Sequence, residues 1–461
     1  MSTNPAGTMK EPQVPYPPKR TAWYATIVLS ILIWLSVLDR FIISLLVGPI
    51  KHDLGISDVQ FGVLNGFAFT VTYALFGVAL GFLTDRYHRR WIIFAGVSFW
   101  SMATAACGLA HVYWQLLLAR IGVGAGEATL GPCASSLLTD LWPRERLTTA
   151  MSVFHVGTSI GAGMAYIIGG QIVQLVSLTP TLTLPLIGAM RSWQVVFLIV
   201  GIPGALLSLI VFTFEEPVRR GFRSAQQAKR SFFASNREMW AFVKTRPRFF
   251  LCHYLGFAFA SAVLVGNGAW YAPHLARNFG WNPSKIGLTV GLMTSLPSII
   301  GMLTAGRMSD WLFRRGHRDA QLRWYAACAL IATPLGVIAM TSSHPWVYIG
   351  FTFLMIMLIC GMPSCAMTAL NLVTPNELRG TGIAFFNMTA GIFGAGSGPV
   401  LIAAVSDYVF KDERAIGRAM AVVIAICLPL AALFLSLAFR AMREAVQDAE
   451  QWANTVAPQP A

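Results

Sequence analysis

Twelve continuous apolar runs follow one another along this chain, each close to the roughly 20 residues that a helix needs to cross a bilayer. A membrane-spanning β-strand would alternate apolar and polar residues, whereas these runs are apolar throughout, so they predict helices. The sequence therefore predicts an all-α membrane protein with twelve transmembrane helices. The predicted spans are 22–50, 58–84, 91–110, 113–139, 148–175, 193–214, 248–276, 284–309, 322–341, 345–372, 380–408 and 415–440.

The composition excludes a water-soluble enzyme. Hydrophobic residues make up 55% of the chain and charged residues only 12%, whereas a soluble domain carries roughly a quarter charged residues. The net charge of +14 lies in short loops without a nucleic-acid-binding motif, so no nucleic-acid partner is expected. The seven cysteines all fall in apolar runs and form no metal-ligand cluster. No metal or cofactor is predicted.

The distribution of Lys and Arg predicts the orientation in the membrane. If the N-terminus is cytoplasmic, 25 of the 34 Lys and Arg residues lie on the cytoplasmic side, seven lie on the outer side and two lie within apolar spans. Cytoplasmic loops of membrane proteins carry such an excess of positive charge. Both termini are therefore expected in the cytoplasm.

A basic polar stretch in the middle of the chain separates six predicted helices from six. It carries nine Lys and Arg residues interleaved with aromatic ones, and either a cytoplasmic linker or an amphipathic helix in the membrane interface fits that pattern. The predicted organisation is a disordered N-terminal tail (1–20), a six-helix half (21–214), a cytoplasmic linker (215–247), a second six-helix half (248–441) and a C-terminal tail (442–461).

A loop motif occurs once in each half. Gly, Asp, Arg and Arg stand at matched positions 225 residues apart, from Gly81 to Arg90 and from Gly306 to Arg315. The first copy resembles the signature loop between helices two and three of the major facilitator superfamily, with His88 where that family usually has glycine. The resemblance covers roughly residues 20–440 and implies two halves that rock about a central site. It also implies a cytoplasmic gating motif formed by Gly81, Asp85, Arg86, Arg89 and Arg90, and more weakly by Gly306 and Asp310.

Three further stretches resemble the spinster-like branch of that superfamily: Leu38 to Phe41, Thr84 to Tyr87, and Arg120 with Gly126 to Ala128. This resemblance implies proton-linked movement of lysophospholipids or sphingosine phosphates. The expected partners are a small amphipathic substrate, protons and membrane lipids, and the expected form is a monomer in a bacterial inner membrane. A glycine- and proline-rich antiporter signature in helix five is only half met, because helix five has the glycines without the proline. The direction of transport stays open.

Four ionisable residues lie deep in apolar spans of the N-terminal half: Asp39, Arg40, Arg120 and Glu127. Each costs about 2.5–3.5 kcal/mol to insert in isolation, so such residues usually have partners or a function. Burial favours a neutral carboxylic acid and a nearby guanidinium favours the charged form, so an acid balanced between the two can exchange a proton. We therefore interpret the acids as proton-coupling residues and the arginines as charge partners or substrate-binding residues. A quartet that only fixes helix packing is the alternative.

Other candidate residues have weaker support. His155 shares a helix face with two serines, but an embedded histidine is more often a packing residue. Counting by the repeat offset places Asn267 opposite Asp39, with Trp270 one turn later. Helix ten carries four methionines that would suit an apolar wall. Together these features predict a polar or anionic head held by the N-terminal half and an apolar tail held by the C-terminal half.

Three functions fit these features to different degrees. The leading one is proton-coupled secondary transport of an amphipathic lipid anion by alternating access. A small organic-anion and proton symporter of the same superfamily is the alternative. A membrane-embedded lipid-modifying enzyme would need a nucleophile and base or a metal site, and the sequence offers neither pattern.

Overall fold

The computed structural model describes residues 16–84, 87–178, 181–184, 188–219, 232–375 and 378–456, and nearly all of them are helical. The N-terminal half contains α1 (Lys19–Ile42), α2 (Val47–Leu54), α3 (Asp58–Gly62), α4 (Ala68–Thr84), α5 (Arg89–Cys107), α6 (Tyr113–Glu127), α7 (Leu130–Leu141), α8 (Arg144–Ser177) and α9 (Ser192–Leu207). After the linker helix α10 (Phe232–Thr245), the C-terminal half contains α11 (Pro247–Phe279), α12 (Pro283–Arg314), α13 (Ala320–Thr341), α14 (Pro345–Ile359), α15 (Met362–Val373), α16 (Arg379–Thr389), α17 (Ser397–Ala404) and α18 (Ile416–Leu437), followed by α19 (Phe439–Val456). Short 3-10 segments are Ile43–Leu45, Ser208–Thr213 and Glu413–Ala415, and π-helical segments are Val63–Phe67, Ala390–Gly396 and Val405–Phe410.

Ten helical segments in the described part of the chain are long and apolar enough to cross a membrane. The two predicted spans that are not among them are α5 and the broken helix formed by α6 and α7. The second contains Arg120 and Glu127, which lower its hydropathy, and the helix is interrupted between Glu127 and Leu130. Twelve crossings therefore stay a prediction, although both segments pack among the other helices of the N-terminal half.

The two halves meet closely along α8 and α12. An added Cβ at Gly287 would lie 2.2 Å from the backbone oxygen of Tyr166, and one at Gly291 would lie 2.5 Å from that of Gly163. No other residue fits at such an approach, so the glycines allow backbone-to-backbone contact between the halves. Tyr166 also donates a hydrogen bond of 3.0 Å from its hydroxyl to the carbonyl oxygen of Gly268. We call this contact the glycine seam.

A second contact between the halves joins two π-helical segments. A Cβ at Gly66, in Val63–Phe67, would lie 2.8 Å from the carbonyl oxygen of Gly396, in Ala390–Gly396. Single π turns inside longer helices are frequent at functional sites. Both segments also contribute to the wall of the cavity described below, through Asn65 on one side and Gly391 and Ala395 on the other.

A β-hairpin that was not predicted joins α8 to α9. Thr181–Leu184 (β1) pairs antiparallel with Gly188–Arg191 (β2), in the register Thr181 to Arg191. The alternation of threonine and leucine in β1 is a strand pattern. Strand β1 is followed by residues 185–187, which lie outside the described chain. A pattern of only four residues is too short to stand out among long apolar runs.

The predicted C-terminal tail, 442–461, is helical up to Val456. Helix α19 continues to Val456 and buries Met442, Ala445 and Val446. Their spacing of three and four residues places them on one helix face. An ion pair of 3.0 Å from Arg443 to the buried Asp319 fixes this helix to the C-terminal half. The N-terminal tail prediction falls mostly on residues 1–15, outside the described chain.

Reporter fusions test the predicted orientation. The excess of Lys and Arg on one side places both termini and the linker in the cytoplasm. We expect fusions after Val456, before Lys19 and within 215–247 to report the cytoplasm, and an insertion in the β1–β2 hairpin to report the outside. A linker accessible from outside the cell would reverse the orientation used below.

Candidate functional site

A cavity of about 670 Å³ lies between the two halves. Its N-terminal wall comes from α1, α4, the π segment Val63–Phe67 and the α6–α7 region, and its C-terminal wall from α11, α16, the π segment Ala390–Gly396 and α17. Apolar side chains predominate, and polar groups concentrate on the N-terminal wall. The lining residues are Arg40, Phe41, Ser44, Asn65, Phe69, Thr70, Tyr73, Ala74, Gly77, Ala128, Pro132, Val265, Ala269, Ile383, Ala384, Asn387, Met388, Gly391, Ala395 and Pro399.

Among the described residues of the cavity wall, Arg40 is the only basic side chain. Its side chain is 34% exposed, and one terminal nitrogen lies 2.7 Å from the Oε2 atom of Glu127. The guanidinium also stands 4.6 Å from the centre of the Phe69 ring, where the negative face of the ring attracts the cation. Arg40 is thus held at the cavity wall while part of it remains accessible.

Glu127 lies immediately behind Arg40. Its side chain has no exposed surface, and Oε2 accepts a hydrogen bond of 2.6 Å from the Ser36 hydroxyl as well as the bond from Arg40. The other carboxylate oxygen has no hydrogen-bond partner among the described residues.

Asp39 and Arg120 form a second pair, deeper than the first. Both are fully buried, and a terminal nitrogen of Arg120 donates a bond of 3.4 Å to the backbone oxygen of Asp39. Neither lines the cavity. The quartet therefore divides into an accessible pair, Arg40 with Glu127, and an enclosed pair, Asp39 with Arg120. Of the two arginines predicted to bind substrate or pair with acids, Arg40 reaches the cavity and forms an ion pair with Glu127, whereas Arg120 bonds to the backbone of Asp39.

The C-terminal candidates lie on the correct helix but on the wrong face. Asn267 is buried and bonds within its own helix to Val263, at 2.8 Å, and the indole nitrogen of buried Trp270 donates to Pro399 at 3.0 Å. Val265 and Ala269 form the cavity wall from this helix instead. Because successive residues turn about 100° around a helix, an offset error of one or two positions selects a different face.

Two other sequence predictions concern the lining. The side chain of His155 lies outside what the structure describes, so its proposed role stays a prediction. The methionine-rich helix ten, now α14 and α15, does not contribute to the cavity wall; Met355, for example, is fully buried. The apolar C-terminal wall comes from α16 and the segment after it. The prediction of an apolar C-terminal side agrees with the cavity, but the helix was misassigned.

The first gating motif is described only in part. Gly81 lies in α4, whereas Asp85 and Arg86 are outside the described residues. Arg89 is buried and forms an ion pair with Asp140, a hydrogen bond of 3.0 Å to Ser136 and an ion pair of 3.1 Å with Glu216. The backbone oxygen of Phe214 accepts a bond from Arg90. Asp140, Ser136 and Phe214 belong to the N-terminal half and Glu216 lies at the start of the linker, so none of these partners comes from the C-terminal half.

The charge of Glu216 is stabilised by this motif. Partial burial would raise the pKa of Glu216, but hydrogen bonds from the backbone and side chain of Arg89 hold that pKa below its usual value. Glu216 therefore stays ionised and ties the end of the last N-terminal helix to the start of α5. In the second copy of the motif, Gly306 has open space around it and Asp310 is exposed.

Four charged residues from distant parts of the sequence meet at the opposite face of the protein. The fully buried carboxylate of Asp58 takes two bonds of 2.7 Å from Arg277 and another from Lys51. Lys51 also lies 2.7 Å from Glu413, which is 3.7 Å from Arg277. Lys51 and Asp58 belong to the N-terminal half, and Arg277 and Glu413 to the C-terminal half. We call this group the outer ion cluster.

The outer ion cluster stands at the face that the charge distribution assigns to the outside, near the glycine seam. A further bond of 2.9 Å joins the backbone nitrogen of Val59 to Asp407 across the halves. The cavity, in contrast, extends from Arg40 towards Gly77 and Ile383, at the other end of the bundle. The halves are thus tied together at the predicted outer face and separated by a cavity towards the predicted cytoplasmic face.

The sequence model described as Major Facilitator Superfamily matches residues 29–399, and matches again over residues 266–458. The chain belongs to the Major Facilitator Superfamily. It is therefore a multi-pass membrane transporter and not an enzyme. The second match, over the C-terminal half alone, agrees with the internal repeat of the gating motif.

Curated superfamily members similar to the chain include spinster proteins. An MFS-type efflux pump of Mycolicibacterium smegmatis is 27% identical over 409 residues, covering 88% of this chain and 90% of that protein. Protein spinster of Drosophila melanogaster is 23% identical over 85% of this chain and 63% of its own length. A sphingosine-1-phosphate transporter of Xenopus tropicalis is 24% identical over 87% of this chain and 76% of its own length.

Solved structures of superfamily transporters share the fold. A bacterial homologue of the human lysosomal transporter spinster, crystallised in an inward-facing and unoccupied conformation, has a TM-score of 0.75 at 23% identity, covering 94% of this chain and 99% of that one. The D-xylose–proton symporter has a TM-score of 0.66 at 18% identity, over 90% of this chain and 97% of that one. At these identities the likeness establishes the superfamily fold.

Proposed function

We propose that this transporter moves an amphipathic anionic lipid, of the lysophospholipid or sphingosine-phosphate kind, by proton-coupled alternating access. It would work as a monomer with both termini in the cytoplasm, in the inner membrane of a bacterium. The observation that carries the proposal is the cavity: one accessible guanidinium, that of Arg40, stands in a wall that is otherwise largely apolar. Such a wall suits a ligand with one anionic group and a long apolar part.

The position of Glu127 supports proton coupling. Arg40 lines the cavity and binds Glu127 through a terminal nitrogen, so an anionic head group that attracts Arg40 competes with this carboxylate. A buried carboxylate that loses its cation is stabilised by taking up a proton. Binding of the anion and binding of the proton therefore favour each other, which is thermodynamic linkage.

The contacts between the halves support alternating access. The outer ion cluster and the glycine seam close the predicted outer face, while the cavity extends towards the cytoplasmic side. We infer that this is the inward-facing state. The partners of Arg89 described above come from outside the C-terminal half. This fits the inward-facing state, because contacts that link the halves at a cytoplasmic gate would be broken when the cavity faces inward.

Transport by purified protein in liposomes tests the proposal. The panel contains a lysophospholipid, a sphingosine phosphate, a neutral monoacylglycerol and a small dicarboxylate, each with and without a pH gradient. We expect gradient-dependent transport of the anionic amphiphiles only. Transport of the dicarboxylate without the lipids would favour a small-anion symporter, and transport that ignores the gradient would remove the proton from the mechanism.

Replacing Arg40 with Gln should weaken binding of anionic amphiphiles by about tenfold to one hundredfold. A hydrogen bond to a charged group contributes about 1.5–3 kcal/mol, and each 1.4 kcal/mol is a factor of ten. Affinity for the neutral monoacylglycerol should change little, because its contacts are apolar. Titration of each ligand into detergent-solubilised protein measures the difference.

The matched control is Arg418→Gln, which removes an exposed arginine from the opposite end of the bundle. This variant should bind all four ligands as the original protein does. An equal loss for anionic and neutral ligands in Arg40→Gln would show a general disturbance of the cavity and contradict charge recognition.

A further inference from the structure

Helix α5 presents a polar stripe to the enclosed pair. Trp100, Thr104 and Cys107 are buried and follow one another at spacings of four and three residues, so they lie on one face of the helix. Trp100 packs closely against α6: a Cβ added at Gly126 would lie 2.7 Å from the Cβ of Trp100. The stripe thus stands beside Glu127 and next to Asp39, and the sequence reading had assigned it no role.

Several polar atoms in this compartment have no hydrogen-bond partner among the described residues. They are both carboxylate oxygens of Asp39, two guanidinium nitrogens of Arg120, the indole nitrogen of Trp100 and the hydroxyl oxygen of Thr104. Most buried polar groups in proteins are paired, so unpaired donors and acceptors grouped together need an explanation. The side chains of Trp100 and Thr104 both interact with the Asp39 carboxyl group, although neither completes a hydrogen bond in this state.

We propose that Trp100 and Thr104 are positioning residues for proton transfer, whose N–H and O–H groups hold the Asp39 carboxylate after its proton has left. The proposal rests on the proton-coupled function proposed above. Two donors that lie near two unpaired acceptor oxygens can bind the charged acid, whereas a protonated acid needs fewer donors. The groups with charge or a titratable proton that face Asp39 are Arg120 and Glu127 from α6, Cys107 from α5 and Arg40 beside it on α1.

The consequence is a defined shift in pH dependence. Thr104→Val keeps the shape of the side chain and removes its O–H group. The charged form of Asp39 then loses a donor, so the acid keeps its proton up to a higher pH. We expect the midpoint of the pH profile of gradient-driven transport to move upwards by about one unit, with substrate affinity unchanged. Thr104→Ser restores the O–H group and should restore the profile.

Trp100→Phe tests the second donor, because it removes the N–H group and keeps an aromatic ring against Gly126. It should shift the midpoint in the same direction. Size-exclusion chromatography and ligand titration show that each variant is folded before its profile is read. The same substitutions made together with Asp39→Asn should shift nothing further, because the titrating acid is gone.

The outcomes separate this proposal from the function on which it rests. If Asp39→Asn abolishes gradient dependence but Thr104→Val and Trp100→Phe leave the midpoint in place, the positioning role is wrong and proton coupling stands. If either substitution still shifts the midpoint in the Asp39→Asn background, the residue acts on another group and the proposal is overturned. If the original protein shows no dependence on the gradient, the proposed function fails and this inference fails with it.

Discussion

Glu127→Gln is expected to remove all gradient-driven uptake while leaving exchange of substrate across the membrane. Glutamine keeps the shape of the side chain but cannot carry a proton, and it leaves Arg40 without its negative partner. Uncompensated charge in a buried pair costs about 3–5 kcal/mol, so the cavity should also bind anions more tightly at Arg40. Uptake with a pH gradient, compared with exchange without one, measures the loss of coupling separately from the loss of transport.

The control is Glu444→Gln, which removes an exposed carboxylate paired with Arg440 of its own helix. It should retain uptake and exchange. Asp39→Asn is expected to impair gradient-driven uptake as well, because Asp39 is the other deep acid. A double variant lacking both acids that still concentrates substrate along the pH gradient would reduce the quartet to a packing arrangement.

Asp58→Asn is expected to shift the protein from the outer-closed state towards an outer-open state by about one hundredfold or more. Asp58 is the buried acid that binds Arg277 across the halves and Lys51 beside it. Breaking one partner of a buried ion pair costs about 3–5 kcal/mol, and 1.4 kcal/mol is a factor of ten in an equilibrium. The remaining cations would also repel each other, which favours separation of the halves.

Distances between spin labels measure this shift. Labels on His52→Cys and Arg414→Cys stand at exposed positions in opposite halves of the outer face, and the seven native cysteines are buried. The distance distribution should gain a longer component in Asp58→Asn. Arg191→Ala is the control, since Arg191 pairs at the same face with Asp53 of its own half. Unchanged distances in Asp58→Asn would mean that the outer ion cluster does not hold the gate.

The sequence located the four deep charged residues but did not predict how they pair. The cost of burying Asp39, Arg40, Arg120 and Glu127 marks them in any apolar run, and the structure places all four within one bundle of helices. Which arginine faces the cavity depends on helix rotation, since adjacent residues point about 100° apart. The rotation of a helix about its axis is set by tertiary packing and cannot be read from spacing along the chain.

The outer ion cluster shows a different limit of sequence reasoning. Its members lie in different loops and helix ends, and Arg277 is 219 residues from Asp58. Lys51 and Arg277 were counted only as positive charges for the orientation of the chain, and such a count contains no information about pairing. The one available signal was an acid at the start of an apolar run, Asp58, which the count of positive charge had no reason to use.

The glycine seam and the outer ion cluster hold the outer face shut by different forces. Backbone lies against backbone at the seam, and such uncharged contacts are not screened by salt. The ion pairs are screened, including one to Glu413, whose side chain is 62% exposed. Exposed pairs weaken as the Debye length falls from about 30 Å at 0.01 M salt to about 8 Å at 0.15 M. The salinity of the surroundings therefore affects the resting state. In fresh water a larger fraction of the molecules is closed to the outside than in brine.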